Sequence, residues 1–238
     1  DINGDGFDDV AVSVRNNPAQ GGFTGSQYVI FGRAAGFGAA MDLSNLDGSN
    51  GFRIDGITAY DSSTVSITNA GDINGDGIKD MLVHVFGYEF PGDRAGFNYV
   101  VFGRTSGFSA AIDLSSLDGS DGFRVQGEPD SYPNVLIQSA GDINGDGFDD
   151  VIVGSSNTDP NGIYSSASQI VFGRDSGFDA TLDLSSLDGQ NGFTLNGGVS
   201  GSDTFYSISS AGDVNGDGLD DVIDGTQKTD PHGNDSGS

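Results

Sequence analysis

The chain has 238 residues and no cysteine, and its 35 acidic and 9 basic side chains give a formal net charge of −26. This excess of negative charge disfavours binding to nucleic acid or to anionic membrane surfaces, and the lack of cysteine excludes disulfide bonds as a source of stability. Hydrophobic residues still make up 35% of the chain at regularly repeated positions, which excludes a disordered acidic tail, and no apolar run approaches the roughly 20 residues of a membrane helix.

The chain opens on a nine-residue stretch that recurs three more times. The copies read DINGDGFDD at 1–9, DINGDGIKD at 72–80, DINGDGFDD at 142–150 and DVNGDGLDD at 213–221, so that they start 71, 70 and 71 residues apart. Repetition at this length indicates a repeat architecture. We therefore expect a single repeat region over 1–238, with units at about 1–71, 72–141 and 142–212 and a partial unit at 213–238. Because the first residue already begins a copy, we expect the parent protein to be longer.

Four short apolar segments within each unit predict four β-strands. The first follows the nine-residue stretch, as in VAVSV at 10–14, and is rich in β-branched residues. The second runs into Phe-Gly-Arg, the third starts at a Gly-Phe pair, and the fourth leads into the next copy, as in TVSITNAG at 64–71. The intervening DLSNLDG or DLSSLDG is long enough for only one helical turn. Four strands per unit predict one blade of a β-propeller, and hence an all-β array of about three blades and part of a fourth.

The nine-residue stretch, called the acidic loop below, has the composition of a calcium site. Oxygen-bearing side chains stand at positions 1, 3, 5 and 9, and glycines at positions 4 and 6 permit a left-handed turn. With the backbone carbonyl of position 7, these groups form the all-oxygen set that calcium prefers. Position 8 is Asp or Lys and is predicted to point away from the metal, while the Ile or Val at position 2 is predicted to anchor the loop in the core. The predicted ligands of about four calcium ions are Asp1, Asn3, Asp5, Phe7, Asp9, Asp72, Asn74, Asp76, Ile78, Asp80, Asp142, Asn144, Asp146, Phe148, Asp150, Asp213, Asn215, Asp217, Leu219 and Asp221.

Two other interpretations of the acidic loop remain open. Without metal, the loop would be a turn held by Asp and Asn hydrogen bonds, although its clustered carboxylates would repel one another. A helical EF-hand would need an acidic residue at position 12, which is Val12, Val83 and Val153 in three copies and Asp224 in the fourth. Because the flanking segments predict strands, we favour the propeller loop over the EF-hand.

The acidic loop, the strand after it and a later Phe-Gly pair recur together, as at 142–153 and at Phe172 and Gly173. This combination resembles the FG-GAP repeat of integrin-alpha-type β-propellers, and the resemblance extends over nearly the whole chain. It implies that the loop joins the first and second strands of a blade and holds calcium. Two features depart from the family pattern: the Gly-Ala-Pro positions read Ser-Val-Arg at 13–15 or Gly-Ser-Ser at 154–156, and the DLSxLDG segment lengthens the unit.

Other groups are candidates for additional sites. The residues Asp113, Ser115, Asp118 and Asp121, with their repeats, form either a second metal site or, as we favour, a turn held by side-chain hydrogen bonds to the backbone. The arginines of Phe-Gly-Arg are expected to pair with nearby carboxylates. Aromatic residues between the strands either contact a protein or sugar partner or pack over the blade. They are Phe23, Tyr60, Tyr88, Phe90, Tyr132, Tyr164 and Tyr206.

Little in the sequence supports catalysis. The histidines are His84 in a predicted strand and His232 in the C-terminal segment, and neither a cysteine nor a Gly-x-Ser-x-Gly motif is present. A glycosidase-type carboxylate pair stays open, but the best acidic pairs are already predicted calcium ligands. We therefore predict that the chain is not an enzyme.

Together these features predict a calcium-stabilised propeller segment in which the metal has a structural role. Extracellular calcium would fill loops of this kind whereas cytosolic calcium would not, which predicts a secreted or cell-surface protein. The resemblance to integrin-type propellers implies adhesion or recognition, with an extracellular protein or glycan as partner and neither nucleic acid nor membrane insertion. Two alternatives remain: an extracellular filament or surface layer assembled from copies of the chain, and a non-catalytic module of a secreted enzyme.

Overall fold

The computed structural model describes residues 1–14, 26–55, 65–86, 96–127, 136–158, 165–196 and 206–226. Within these ranges the chain forms strands and three single turns of 3-10 helix, which confirms the all-β prediction. No helix in the described ranges has the length and apolar character needed to cross a membrane. The strands are β1 Val10–Val14, β2 Ser26–Ile30, β3 Gly51–Asp55, β4 Val65–Gly71, β5 Asp80–Phe86, β6 Gly96–Val101, β7 Ala111–Ile112, β8 Gly122–Gln126, β9 Leu136–Gly141, β10 Asp150–Thr158, β11 Ser165–Val171, β12 Thr181–Asp183, β13 Gly192–Asn196, β14 Tyr206–Gly212 and β15 Asp221–Thr226.

The strands form four sheets, here numbered blades 1 to 4. Blade 1 has the order β1-β2-β3, blade 2 β4-β5-β6-β8, blade 3 β9-β10-β11-β13 and blade 4 β14-β15, and neighbouring strands within each are antiparallel. In blades 2, 3 and 4 an acidic loop joins the first strand to the second. The sheets are therefore propeller-like blades, and the loop has the place in the blade that the family resemblance implied.

Two short strands were not anticipated from the sequence. The strand β7 pairs in parallel with β3, opposing Ala111 to Arg53, and β12 pairs in parallel with β8, opposing Thr181 to Arg124. Each comes from the following unit and extends the edge of the blade before it. Successive blades are thus tied together by backbone hydrogen bonds as well as by packing, and segments of two or three residues carry too little periodicity to reveal this.

The core lies between facing blades. Side chains of β5 alternate, so that Met81, Val83 and Val85 pack towards blade 1 while Leu82 packs towards blade 3. A strand buried on both faces needs apolar residues on both sides, which accounts for the nearly continuous apolar run of β5. The Gly-Phe pairs contribute the rings of Phe52, Phe108, Phe123 and Phe178 to these interfaces, whereas Phe37 is 55% exposed. The rings of Phe123 and Phe178, from consecutive units, stack with their centroids 4.3 Å apart.

The DLSxLDG segments form the 3-10 turns Leu43–Asn45, Leu114–Ser116 and Leu184–Ser186. In the second, the Asp113 carboxylate accepts hydrogen bonds from the backbone N–H of Ser115 at 2.9 Å and from its hydroxyl at 2.6 Å. Asp118 accepts the same pair of bonds from Ser120. These bonds hold the pKa of Asp113 and of Asp118 below its usual value. They confirm the interpretation of the segment as a hydrogen-bonded turn.

Candidate metal centre

The carboxylate at position 1 organises each acidic loop, and the loops are numbered 1 to 4 in chain order. In loop 2 the two oxygens of Asp72 accept hydrogen bonds from the backbone N–H groups of Gly75 at 2.8 Å, Asp76 at 3.1 Å and Gly77 at 2.9 Å. Loops 3 and 4 repeat this pattern, and loop 1 has two of its bonds. Gly75 and Gly77 have φ of 74° and 83°, so the left-handed turn predicted from the glycines at positions 4 and 6 is present.

Positions 3 and 5 complete the turn. In loop 3, Asn144 Oδ1 accepts from the N–H of Asp146 at 2.8 Å, and Asn144 Nδ2 donates to Asp146 Oδ2 at 2.8 Å. The other carboxylate oxygen of Asp146 accepts from the N–H of Phe148 at 3.0 Å, which orders the backbone at position 7. The Asp and Asn side chains at positions 1, 3 and 5 therefore already lie on one short turn.

The carboxylate at position 9 links the loop to the body of the blade. Asp80 Oδ2 accepts from the N–H of Ile73 at 2.8 Å, and Asp80 Oδ1 accepts from the N–H of Gly103 in Phe-Gly-Arg at 2.9 Å. Asp80 is 1% exposed and its counterpart Asp150 is fully buried. Burial, helped by the negative charges of Asp76 and Asp72, raises the pKa of Asp80 to about 7 against the effect of these two hydrogen bonds.

The predicted ligands of each loop lie within nine consecutive residues. Among the described residues, no three acidic or histidine side chains are arranged to hold a metal ion as they stand. The physical reason is visible in the loops, where carboxylates accept hydrogen bonds from backbone N–H groups. The donor set nevertheless fits calcium: each loop offers three carboxylates, an amide oxygen and a carbonyl, and no predicted ligand takes part in the described salt bridges.

The aspartate at position 8 of loops 3 and 4 contacts the preceding loop. Asp149 Oδ2 accepts from the N–H of Asp72 at 2.7 Å, and the N–H of Asp149 donates to the carbonyl of Asp72 at 3.0 Å. Asp220 makes the same two contacts with Asp142, both at 3.0 Å. The sequence predicted the direction of position 8 from Lys79, but it gave no sign of this contact between loops.

Position 2 anchors the loop where another blade packs against it. Ile2 and Ile73 are 3% and 0% exposed, as predicted, whereas Val214 in blade 4 is 72% exposed. The side chain at this position is thus buried by the following unit, whose Phe-Gly-Arg strand donates a backbone hydrogen bond to its carbonyl, as from Arg104 to Ile2 at 2.9 Å.

The arginines of Phe-Gly-Arg have different partners from the expected carboxylates. The Nε–H groups of Arg33, Arg104 and Arg174 donate to the carbonyl of the glycine three residues later, at 2.9–3.1 Å. Each guanidinium also lies over the next phenylalanine ring, 4.4–4.8 Å from its centroid. Among the described residues a carboxylate approaches only Arg104, with 3.9 Å between its Nη1 and Asp121 Oδ2. The arginines hold a turn and cover an aromatic ring, which is favourable for a cation.

Of the remaining candidates, His84 and Tyr206 lie among the described residues. His84 Nδ1 lies 2.6 Å from Asn98 Oδ1 inside blade 2, and burial lowers the pKa of His84. His232 lies outside the described residues, as do six of the loop aromatics: Phe23, Tyr60, Tyr88, Phe90, Tyr132 and Tyr164. Tyr206 begins β14.

Comparison with known proteins identifies one family. The model of the FG-GAP repeat matches residues 139–169, which cover the end of β9, loop 3, β10 and the start of β11. A search of curated proteins found no match to the chain. FG-GAP repeats are non-catalytic and typically extracellular. Residues 139–169 are therefore similar to the FG-GAP repeat, as the acidic loop and the Phe-Gly pair had indicated.

Proposed function

We propose that the chain is a calcium-stabilised propeller segment of an extracellular adhesion or recognition protein. The observation that carries the proposal is the burial of the position 9 carboxylate beside two further carboxylates. Asp80 and Asp150 are 1% and 0% exposed, and neither has a cationic partner in the described part of the chain. A buried carboxylate is costly unless a cation or hydrogen bonds compensate for lost hydration. Two hydrogen bonds supply part of that compensation, and a divalent cation supplies the rest.

In this proposal the five oxygen donors of each loop hold one calcium ion. For loop 3 they are Asp142, Asn144, Asp146, the Phe148 carbonyl and Asp150. The ion neutralises the clustered carboxylates, and the residues tie the turn to the first two strands of the blade. With three carboxylates and one neutral amide, the affinity expected for such a site is on the order of 10⁻⁵ to 10⁻³ M, which extracellular calcium would fill.

A single loop variant tests the metal proposal directly. Replacing Asp146 by Ala removes a predicted ligand from an exposed position in loop 3, so it should weaken one calcium site and leave the other three sites close to wild type. Isothermal titration calorimetry of the 238-residue chain would count the sites. An unchanged number and affinity of sites in Asp146→Ala would remove loop 3 from the calcium sites.

The recognition role is supported by the architecture. FG-GAP repeats of this kind build propeller modules. Several segments between strands differ among the units, while the acidic loops keep the same residues at positions 1, 3, 4, 5, 6 and 9. A glycan array and a panel of extracellular matrix proteins, probed with the labelled chain in calcium and in EDTA, would test it. We expect binding to at least one probe only in calcium; equal binding in EDTA would separate recognition from the metal.

Self-assembly is a second candidate, favoured by the apolar residues exposed on blades 1 and 4. Val10 is 56% exposed whereas its counterparts Met81 and Val151 are buried, and Val214 is 72% exposed whereas Ile73 is buried. The exposed face of blade 1 is therefore of the kind that packs against a preceding blade, and the exposed face of blade 4 is of the kind that a following blade covers. Light scattering would show association that grows with concentration. Val10→Asp and Val214→Asp should each be monomeric alone and should form a heterodimer when mixed, whereas monomeric wild type at every concentration would contradict this candidate.

A further inference from the structure

We propose that Asp149 and Asp220, at position 8 of loops 3 and 4, are positioning residues for the calcium sites of loops 2 and 3. Neither is a predicted ligand, and each acts on the neighbouring loop through the backbone of that loop's first ligand. The inference rests on the proposed function, because it concerns how the acidic loops bind calcium.

Asp149 and Asp220 each form hydrogen bonds with both the backbone N–H and the backbone carbonyl of the first ligand in the preceding loop. Asp149 accepts from the N–H of Asp72 at 2.7 Å through its carboxylate and donates to the Asp72 carbonyl at 3.0 Å through its own N–H. Asp220 forms the same two hydrogen bonds with Asp142. A hydrogen bond from a backbone N–H to a carboxylate is charge-assisted and stronger than a neutral one. The next blade therefore fixes the residue at which each preceding loop begins.

The first ligand, which is Asp72 in loop 2, sets the geometry of its loop. The Asp72 carboxylate accepts the N–H groups of Gly75, Asp76 and Gly77. A shift of the Asp72 backbone would move that carboxylate and the turn that it holds. Metal affinity depends on residues that orient the ligands as well as on the ligands themselves. Asp149 is placed to supply this orientation to loop 2 from outside the loop.

The glycine before the first ligand of loops 2 and 3 leaves room for the position 8 carboxylate of the next loop. Gly71 and Gly141 have φ of 86° and 74°, and a side chain at either position would overlap the carboxylate of Asp149 or Asp220, respectively. At Gly212, before loop 4, no described atom lies within 4 Å of the equivalent point. Where a position 8 carboxylate contacts the preceding loop, the glycine before that loop thus provides the space for it.

Lysine at position 8 of loop 2 breaks the series. Lys79 offers no carboxylate to loop 1; its Nζ instead lies 3.3 Å from Asp149 Oδ2. Loops 2, 3 and 4 are therefore linked through position 8 carboxylates, and loop 1 is not. The chain thus contains its own reference site, since loop 1 has the same nine-residue composition as loop 3.

A site-resolved calcium titration of the whole chain by ¹H–¹⁵N NMR tests the proposal. The amides of Gly6, Gly77 and Gly147, at position 6 of loops 1 to 3, donate to the first ligand of their loops and report on each site. In Asp149→Ala the midpoint at Gly77 should rise by about ten- to hundredfold, the factor that corresponds to one lost charge-assisted hydrogen bond, while the midpoint at Gly6 stays unchanged.

Three further variants separate positioning from general stability. Asp149→Asn keeps an oxygen acceptor and should restore a midpoint close to wild type at Gly77. Asp8→Ala changes position 8 of loop 1 and should leave Gly77 and Gly147 unaffected. Asp220→Ala repeats the test one blade later, where the rise should appear at Gly147, and it serves if Asp149→Ala does not fold.

The outcomes distinguish this inference from the proposed function. An unchanged Gly77 midpoint in Asp149→Ala, or an equal rise at all loops, would overturn the positioning role while calcium binding itself stands. If no loop amide of the wild-type chain responds to calcium, the calcium proposal fails and the positioning role fails with it.

Discussion

Removing the buried carboxylate of Asp80 should destabilise the chain far more than removing its counterpart Asp221. Asp80 is 1% exposed and accepts hydrogen bonds from the N–H groups of Ile73 at 2.8 Å and Gly103 at 2.9 Å. In Asp80→Ala both donors lose their acceptor. Each buried donor left unsatisfied costs about 1–3 kcal/mol, so the free energy of unfolding should fall by about 2–6 kcal/mol even without calcium.

Asp221 provides the matched control. Its carboxylate is partly exposed and accepts from the backbone N–H of Val214 at 2.9 Å, and Val214 is itself 72% exposed. Water can satisfy that donor, so Asp221→Ala should cost less than about 1 kcal/mol in EDTA. Urea unfolding followed by circular dichroism, with both variants in EDTA and in calcium, measures the difference. Equal losses for the two variants in EDTA would refute the argument that the position 9 carboxylate is needed inside the blade.

Three further perturbations test other parts of the structure. Gly71→Ala should destabilise the chain more than Gly212→Ala in thermal melts. Both glycines have positive φ, 86° and 66°, but only Gly71 faces a neighbouring carboxylate, that of Asp149. Equal shifts in melting temperature would contradict the claim that Gly71 leaves room for Asp149. Phe123→Ala should cost about 3–5 kcal/mol, as for a buried stacked ring, while Phe37→Ala, whose ring is 55% exposed, should cost well under half of that in urea unfolding. Burial lowers the pKa of His84 in the folded chain, so the unfolded state binds a proton more readily and this contribution to stability is lost as pH falls below 6.5. His84→Gln should raise the urea midpoint at pH 5.5 relative to that at pH 7.5, compared with the wild type, and an unchanged pH profile would rule out a contribution from His84.

The repeated sequence revealed the strands because each strand carries its own signal. β-Branched runs after the acidic loops predicted β5 and β10, and the Gly-Phe pairs predicted β8 and β13. The single turn of DLSxLDG also followed from its composition, since an Asp before Leu-Ser is a favourable cap and the segment is too short for a longer helix. These features are local, and local patterns repeat with the unit.

Contacts between units could not be predicted in the same way. The parallel strands β7 and β12 depend on the edge of the preceding blade, and the hydrogen bond between Asp149 and Asp72 joins residues 77 positions apart. The arginine of Phe-Gly-Arg was expected to pair with a carboxylate, but a carbonyl and an aromatic ring lie closer along its own turn. The contacts between units depend on three-dimensional proximity, which one unit of sequence does not contain. The arginine contacts are local, and they were missed because a carboxylate was expected as the partner.

Calcium binding to the wild-type chain is the central claim, and calorimetry combined with thermal melting tests it most directly. The account predicts about four ions per chain and, at a calcium concentration about 100 times the dissociation constant, a stabilisation of about 2.7 kcal/mol for each independent site. The melting temperature should therefore rise clearly between EDTA and excess calcium. Absence of binding heat together with the same melting temperature in both buffers would contradict the account and would make the acidic loops metal-free turns.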